Sequence, residues 1–183
     1  MLQKMSALAV ASRMEFAVGM LRKLHQTPSL KHRIWFSDEA HFELDGGANQ
    51  QNNRTWAREN PREFQTKGLH SPRVTVWCAM SSSGIYGPLF FFGNANMDSY
   101  RAVIEEFIAC LHGALSKREF DRAWFMQDGA TPHTARQSLA ILYEHFDPRV
   151  ISGKFKRHFH CGMDWPPYSP DLTPCDFFLC PHQ

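Results

Sequence analysis

No apolar run in this 183-residue chain approaches the roughly 18 residues that a membrane span requires. The opening MLQKMSALAVASRMEF has a short apolar centre, but Arg13 and Glu15 interrupt it too early for a secretory signal. Cysteine is scarce and unpaired in pattern. The five residues at 78, 110, 161, 175 and 180 are odd in number and contain no CxxC, which excludes a disulfide framework and suits a reducing compartment. An excess of one charge is lacking too. The net charge of +2 is far below that of a dedicated DNA-binding module, so any dealings with nucleic acid must rest on a local site. These absences lead to the expectation of a soluble, intracellular protein that uses no membrane.

What is present suits one packed domain: 43% hydrophobic and 13% aromatic residues. The stretch from Ala123 to Phe146 organises the rest. Ala123-Trp124-Phe125-Met126 is a short apolar run of the kind buried on both faces of a sheet. It ends at Asp128 and Gly129, where the backbone can turn. Thr131 and Pro132 read as a helix cap and first helical residue. Ala135, Leu139, Leu142 and Phe146 then form one helical stripe. Asp128 is thus expected at a strand-to-helix switch, beyond the carboxyl end of a buried strand, where open α/β sheets place their ligands.

Upstream, Phe16, Met20 and Leu24 predict an amphipathic helix over 7–24, closed by Thr27-Pro28 and packed on the main body. Residues 33–44 alternate as a half-buried strand, with Ile34, Phe36, Ala40, Phe42 and Leu44 on the apolar parity. Asp38 shares that parity, so a carboxylate points to the core side. Two readings stay open: a metal or catalytic role, or a strand end that reaches water or an arginine. Residues 45–53 read as turn and loop, 54–58 as a returning strand and 60–71 as irregular. Strands follow at 74–80 and 85–92, the second an edge strand because of Pro88. Together with the Asp38 strand they suggest an antiparallel meander. Asp98 is expected to cap a helix that ends near Ser116. Strands first and β-α alternation later point to a mixed α/β sheet covered by helices.

Residues 147–163 read as a loop carrying Lys154, Lys156, Arg157, His158 and His160 around Phe155 and Phe159. Such interleaving suits nucleic acid, with aromatics stacking on bases and cations on phosphates; a solvated loop anchored by two phenylalanines fits as well. His158, His160 and Cys161 lack a second ligand pair at finger spacing, which argues against zinc. Near the end, Pro166, Pro167 and Pro170 hold an extended segment, and Thr173-Pro174 opens a short helix with Asp176 in its first turn.

The segments FSDEAHFELDG (36–46), MQDGATPHTA (126–135) and WPPYSPDLTPCDFF (165–178) resemble, in that order, the catalytic domain of mariner-type transposases. VTVWCAM and YGPLFFF share in the likeness, which runs from about Phe16 to Leu179. The resemblance implies a ribonuclease H-like fold and a three-carboxylate (DDE/DDD) site. Asp38, Asp128 and Asp176 fall on its catalytic and metal-binding acids, with Asp171 as the competing choice for the third. It further implies two Mg²⁺ or Mn²⁺ ions, DNA (transposon ends and target) as partner, cleavage and strand transfer in DNA transposition, and a nuclear location; a homodimer is compatible with it. Ser37 and His133, beside the acids, are candidates for contact with phosphate or metal-bound water, or for local hydrogen bonding. His133, Lys154, Lys156 and Arg157 are the candidate nucleic-acid contacts.

Two departures from the family accompany this. Residues 1–30 have the character of a helical connecting segment, with no helix-turn-helix domain ahead of a catalytic domain at 31–183. The helix of Asp176 is expected to be incomplete, and the interval from Asp128 to Asp176 is longer than usual in the mariner branch. The alternative is a non-catalytic, repurposed or remnant fragment that binds nucleic acid.

Overall fold

A computed structural model describes residues 5–43, 73–91 and 96–179. The turn, strand and irregular stretch expected over 45–71, like Phe92, lie outside the described residues.

The chain runs α1 (Ala7–Gln26), a 3₁₀ turn (Pro28–His32), β1 (Ile34–Glu43), β2 (Arg73–Ser81), β3 (Gly84–Phe91), α2 (Met97–Ala114), α3 (Lys117–Phe120), β4 (Trp124–Met126), α4 (Arg136–Phe146), β5 (Val150–Ile151) and α5 (Phe155–Phe159). A 3₁₀ turn (Pro170–Leu172) and a single π turn (Cys175–Leu179) follow. The five strands form one mixed sheet in the order β3-β2-β1-β4-β5. β1, β2 and β3 pair antiparallel, as the meander reading expects, and β4 joins β1 and β5 in parallel. Pro88 lies on β3 at the sheet edge, where its missing N–H is tolerated.

Both faces of the central strands are covered, because alternate side chains feed two cores. Trp35, Phe125 and Val150 join Tyr100, Phe107, Leu139, Leu142 and Phe146 beneath α2 and α4. Ile34, Met126 and Ile151 join Phe16, Leu30, Met163 and Trp165 on the α1 side. Phe16 meets Trp165 edge-on at 5.2 Å, which seats α1 on the body. The half-buried reading of β1 is corrected accordingly. Its first half is buried on both faces, whereas Phe42, expected inward, is 57% exposed.

Three local expectations also change. Asn96, rather than Asp98, caps α2, and a reciprocal capping box with Ser99 shifts the start. α4 begins at Arg136, not at Pro132. Residues 131–134 stay in turns because the His133 side chain is drawn inward and its carbonyl accepts from Gln127 Nε2 at 2.9 Å. The expected loop over 147–163 contains β5 and α5. Two residues of strand carry too little periodicity to announce themselves.

Gly162 makes the return from α5 to the sheet possible. Its φ is +70°, and a Cβ there would lie 2.7 Å from both the Phe155 ring and the Val150 carbonyl. Only glycine fits that conformation and that space.

Candidate active site

The parallel pairing of β1 with β4 aligns Phe36 with Met126. Asp38 and Asp128 each lie two residues beyond that pair, so the two acids are neighbours just past the paired stretch, Asp38 within β1 and Asp128 beyond the end of β4. The third acid arrives from the chain end. Cys175, fully buried, donates its thiol to the Phe36 carbonyl at 3.3 Å and pins the π turn to β1. Asp176 follows at once, near enough that its charge acts on Asp38 and that of Asp128 acts on it. Asp38 and Asp128 are therefore neighbours, and Asp176 lies within electrostatic reach of both. The helix expected for Asp176 is one π turn.

Asp171, the competing choice for the third acid, already has a partner. Arg13 of α1 grips both its oxygens, at 2.8 and 2.6 Å, and also donates to Ser169 and the Tyr168 carbonyl. The Asp171 carboxyl is held below its usual range by that guanidinium. Asp171 thus ties α1 to the Pro-rich turn.

The acids differ in charge state for local reasons. Burial, then the charge of Asp176, pushes the Asp38 carboxyl up to about 7, against a lowering hydrogen bond from the Glu39 N–H at 2.8 Å. Burial raises Asp176 as well, helped by Asp128. Partial burial of Asp128 would do the same, but the hydrogen bond and charge of His133 and the Ala130 N–H, 2.9 Å from Oδ1, carry it below the usual range.

His133 is 3% exposed, with Nδ1 2.5 Å from Asp128 Oδ1 and Nε2 3.0 Å from Glu39 Oε1. Burial alone would lower its pKa; the Glu39 charge and the bonds to both carboxylates outweigh that and raise it to about 10. Both ring nitrogens therefore donate, and none is left for a phosphate. This corrects the expected nucleic-acid contact by His133 in favour of local bonding. Ser37 is likewise spent locally, donating to the Met126 carbonyl at 3.0 Å.

A cleft of about 630 Å³ opens beside Asp128 and Asp176, lined also by Gly129, Lys154, Trp165 and Tyr168. Lys154 is exposed at this cleft, while Lys156 and Arg157 are exposed on α5. Their aromatic neighbours are not available to bases. Phe155 is fully buried in the core, and Phe159 stacks on Tyr143 at 4.5 Å. The stacking half of the nucleic-acid reading for 147–163 is thus corrected, and the cations remain. Cys161 donates to Asp147 at 3.0 Å.

Asp38 shows what the site could hold. Its Oδ2 is buried with no hydrogen-bond partner. A buried anionic oxygen left so is costly, and a cation beside it removes the cost. An all-carboxylate donor set suits hard divalent ions such as Mg²⁺ or Mn²⁺. Among the described residues no three His, Cys, Asp or Glu side chains are already drawn in closely enough to hold one ion. The fit is one of donor chemistry and of the orphaned oxygen.

No family model matches the chain. In sequence it is 26% identical over 144 residues to the Tc3 transposase of Caenorhabditis elegans, covering 79% of this chain and 39% of that protein. In structure it overlays the Mos1 mariner transposase catalytic domain with a TM-score of 0.64 at 17% identity, over 98% of this chain and 71% of that one. The chain in the Mos1 mariner paired-end complex with Mn matches with a TM-score of 0.71 at 18% identity, over 98% and 49%. This chain has the fold of a mariner-type transposase catalytic domain. The mariner-type likeness joins sequence and structure: a ribonuclease H-like mixed sheet with flanking helices, as the three acidic segments imply. The chain spans 39% of the length of its Tc3 relative and about half of the longer Mos1 chains.

Sequence reasoning passed over Glu39, Gln127, Tyr100 and Cys175. Only Glu39 carried a signal, since it shares strand parity with Trp35 and so faces the α2 core as an acid.

Proposed function

We propose that this chain is a DNA-cleaving and strand-transferring domain of a transposase, dependent on divalent metal held by Asp38, Asp128 and Asp176. The observation that carries the reading is the strand register that sets Asp38 beside Asp128, with Asp38 Oδ2 buried and unpartnered and Asp128 and Asp176 lining one cleft. When bound, two Mg²⁺ or Mn²⁺ ions supply charge that stabilises the attacking and leaving oxygens of an in-line phosphodiester displacement. Asp38 brings a carboxylate from within β1, where the strand pairs with β2 at Cys78. Asp128 brings one from the β4 end, with Oδ1 already committed to His133 and Ala130. Asp176 would complete the set from a turn anchored by Cys175. Lys154 at the cleft, with Lys156 and Arg157 nearby, would meet backbone phosphates. The solved Mos1 structures with Mg and with Mn, and its paired-end complex with a transposon end, support this reading for the family. DNA ends and target as partners, a nuclear site of action and a homodimer belong to the same proposal.

Supercoiled plasmid incubated with the protein and Mn²⁺ tests it. Nicking that EDTA and Asp128→Asn both abolish is the expected result; equal nicking by Asp128→Asn contradicts the reading. A second reading, a domain that binds DNA without cutting, is favoured by the absence, among the described residues, of three acids drawn in closely enough to hold an ion. Retarded DNA with no metal-dependent nicking at any Mn²⁺ concentration would select it.

A further inference from the structure

Behind Asp128 stands a built network that the proposed chemistry does not itself use. The His133 ring is buried between two carboxylates, Asp128 at 2.5 Å and Glu39 at 3.0 Å. It also lies over the Tyr100 ring, with centroids 4.3 Å apart. Its backbone is held too: Gln127, the residue before Asp128, donates to the His133 carbonyl at 2.9 Å and to Ser152 Oγ at 2.8 Å. The Tyr100 hydroxyl completes the set by donating to Gln127 Oε1. The ring cannot turn or withdraw without breaking several buried contacts. It therefore fixes the plane of the carboxylate it touches.

We propose that Glu39 and His133 are a positioning pair that presents Asp128 to a divalent cation, His133 locking Oδ1 and Glu39 locking His133. The inference rests on the reading of Asp128 as a metal ligand. Oδ1 is taken by His133 and by the Ala130 N–H, while the side chain remains 49% exposed toward the cleft. A ligand oriented in advance loses less freedom when the ion arrives. Partners of this kind behind a metal ligand typically contribute about 10–100-fold in affinity. Glu39 and Asp38 are neighbours on β1 with opposite facing, so one strand supplies both a ligand from one face and a support from the other.

Mn²⁺ binding to the whole chain without DNA, read by paramagnetic resonance of the free ion, tests the pair, with melting of each variant in EDTA alongside. Asp128→Asn is expected to lose binding. If it binds Mn²⁺ like wild type, the metal reading beneath the inference fails. With that loss in place, His133→Ala and Glu39→Ala are each expected to weaken binding by about 10-fold. His133→Asn keeps a donor near the Nδ1 position and should recover most of the loss, as should Glu39→Gln, which still accepts from the ring. Wild-type affinity in both alanine variants overturns the positioning role. So does an equal loss in His133→Asn and His133→Ala, which marks packing alone. An equal loss in Glu39→Gln and Glu39→Ala overturns it too, because it places Glu39 on the ion itself.

Discussion

Removing the charge of Asp38 should shift the stability of the metal-free protein in favour of the variant as pH rises from 5 to 8. The sign follows from which state holds the proton. Below 3.8 the carboxyl is protonated whether the chain is folded or not, and ionisation costs nothing. Between there and about 7 the unfolded chain releases the proton while the folded one retains it, so rising pH favours unfolding. Above about 7 the penalty is complete. A carboxyl raised from 3.8 to about 7 corresponds to about 4 kcal/mol at ~1.4 kcal/mol per pH unit, of which about 3 falls between pH 5 and 8. Asp38 is only part-buried, so screening reduces that window to about 1–2 kcal/mol. The Asp38→Asn change would also bury an amide where Oδ2 has no partner, a cost of about 1–3 kcal/mol that does not vary with pH. The quantity to measure is therefore the stability difference between Asp38→Asn and wild type at pH 8 minus that at pH 5. Urea unfolding in EDTA gives it, followed by the fluorescence of Trp35, Trp77 and Trp165, which sit in the two cores. His133, raised to about 10, contributes stability that is complete below 6.5 and lost as pH rises through 10, but it does so in both proteins and cancels. A difference of about 1–2 kcal/mol favouring the variant at pH 8 is expected. A difference independent of pH would refute the buried, crowded carboxylate.

Asp171→Asn separates the two candidates for the third acid: it should leave Mn²⁺ affinity unchanged and lower stability by no more than about 1 kcal/mol, as an exposed arginine pair does. Loss of Mn²⁺ binding in that variant would move the ligand from Asp176 to Asp171. Gly162→Ala should cost at least about 1 kcal/mol in urea unfolding, because φ is +70° and the added methyl meets the Phe155 ring and the Val150 carbonyl at 2.7 Å. Unchanged stability there would contradict the tight return beside β5. Lys154→Ala should weaken DNA binding and lower the slope of log affinity against log salt by about one, the signature of one lost phosphate contact. An unchanged slope would remove Lys154 from the DNA path.

The legible parts of this molecule were those written in long periods or in chemically demanding residues. The apolar run into Asp128, the alternation of β1 and the stripes of α1, α2 and α4 all reappear as elements. Asp38 was visible as a carboxylate on an apolar parity, and its partnerless oxygen bears out the oddity. What stayed hidden depends on contacts distant in sequence. Thr131-Pro132 has the local chemistry of a helix start, yet the bonds of His133 to Asp128 and Glu39 hold those residues in turns. β5 is too short to show a period and exists because β4 offers it an edge. Phe155 and Phe159 looked like aromatics spaced for bases, but one is consumed by the core and the other by Tyr143. The partner that occupies Asp171 is Arg13, a residue 158 positions away along the chain.

Diffraction from crystals grown with Mn²⁺, recorded at the manganese absorption edge, would test the metal site most directly. The account predicts anomalous density within about 2.0–2.3 Å of Asp38 and Asp128 oxygens, with Asp176 brought in to complete the set. Density only elsewhere on the molecule, or none at these carboxylates under saturating Mn²⁺, would contradict it.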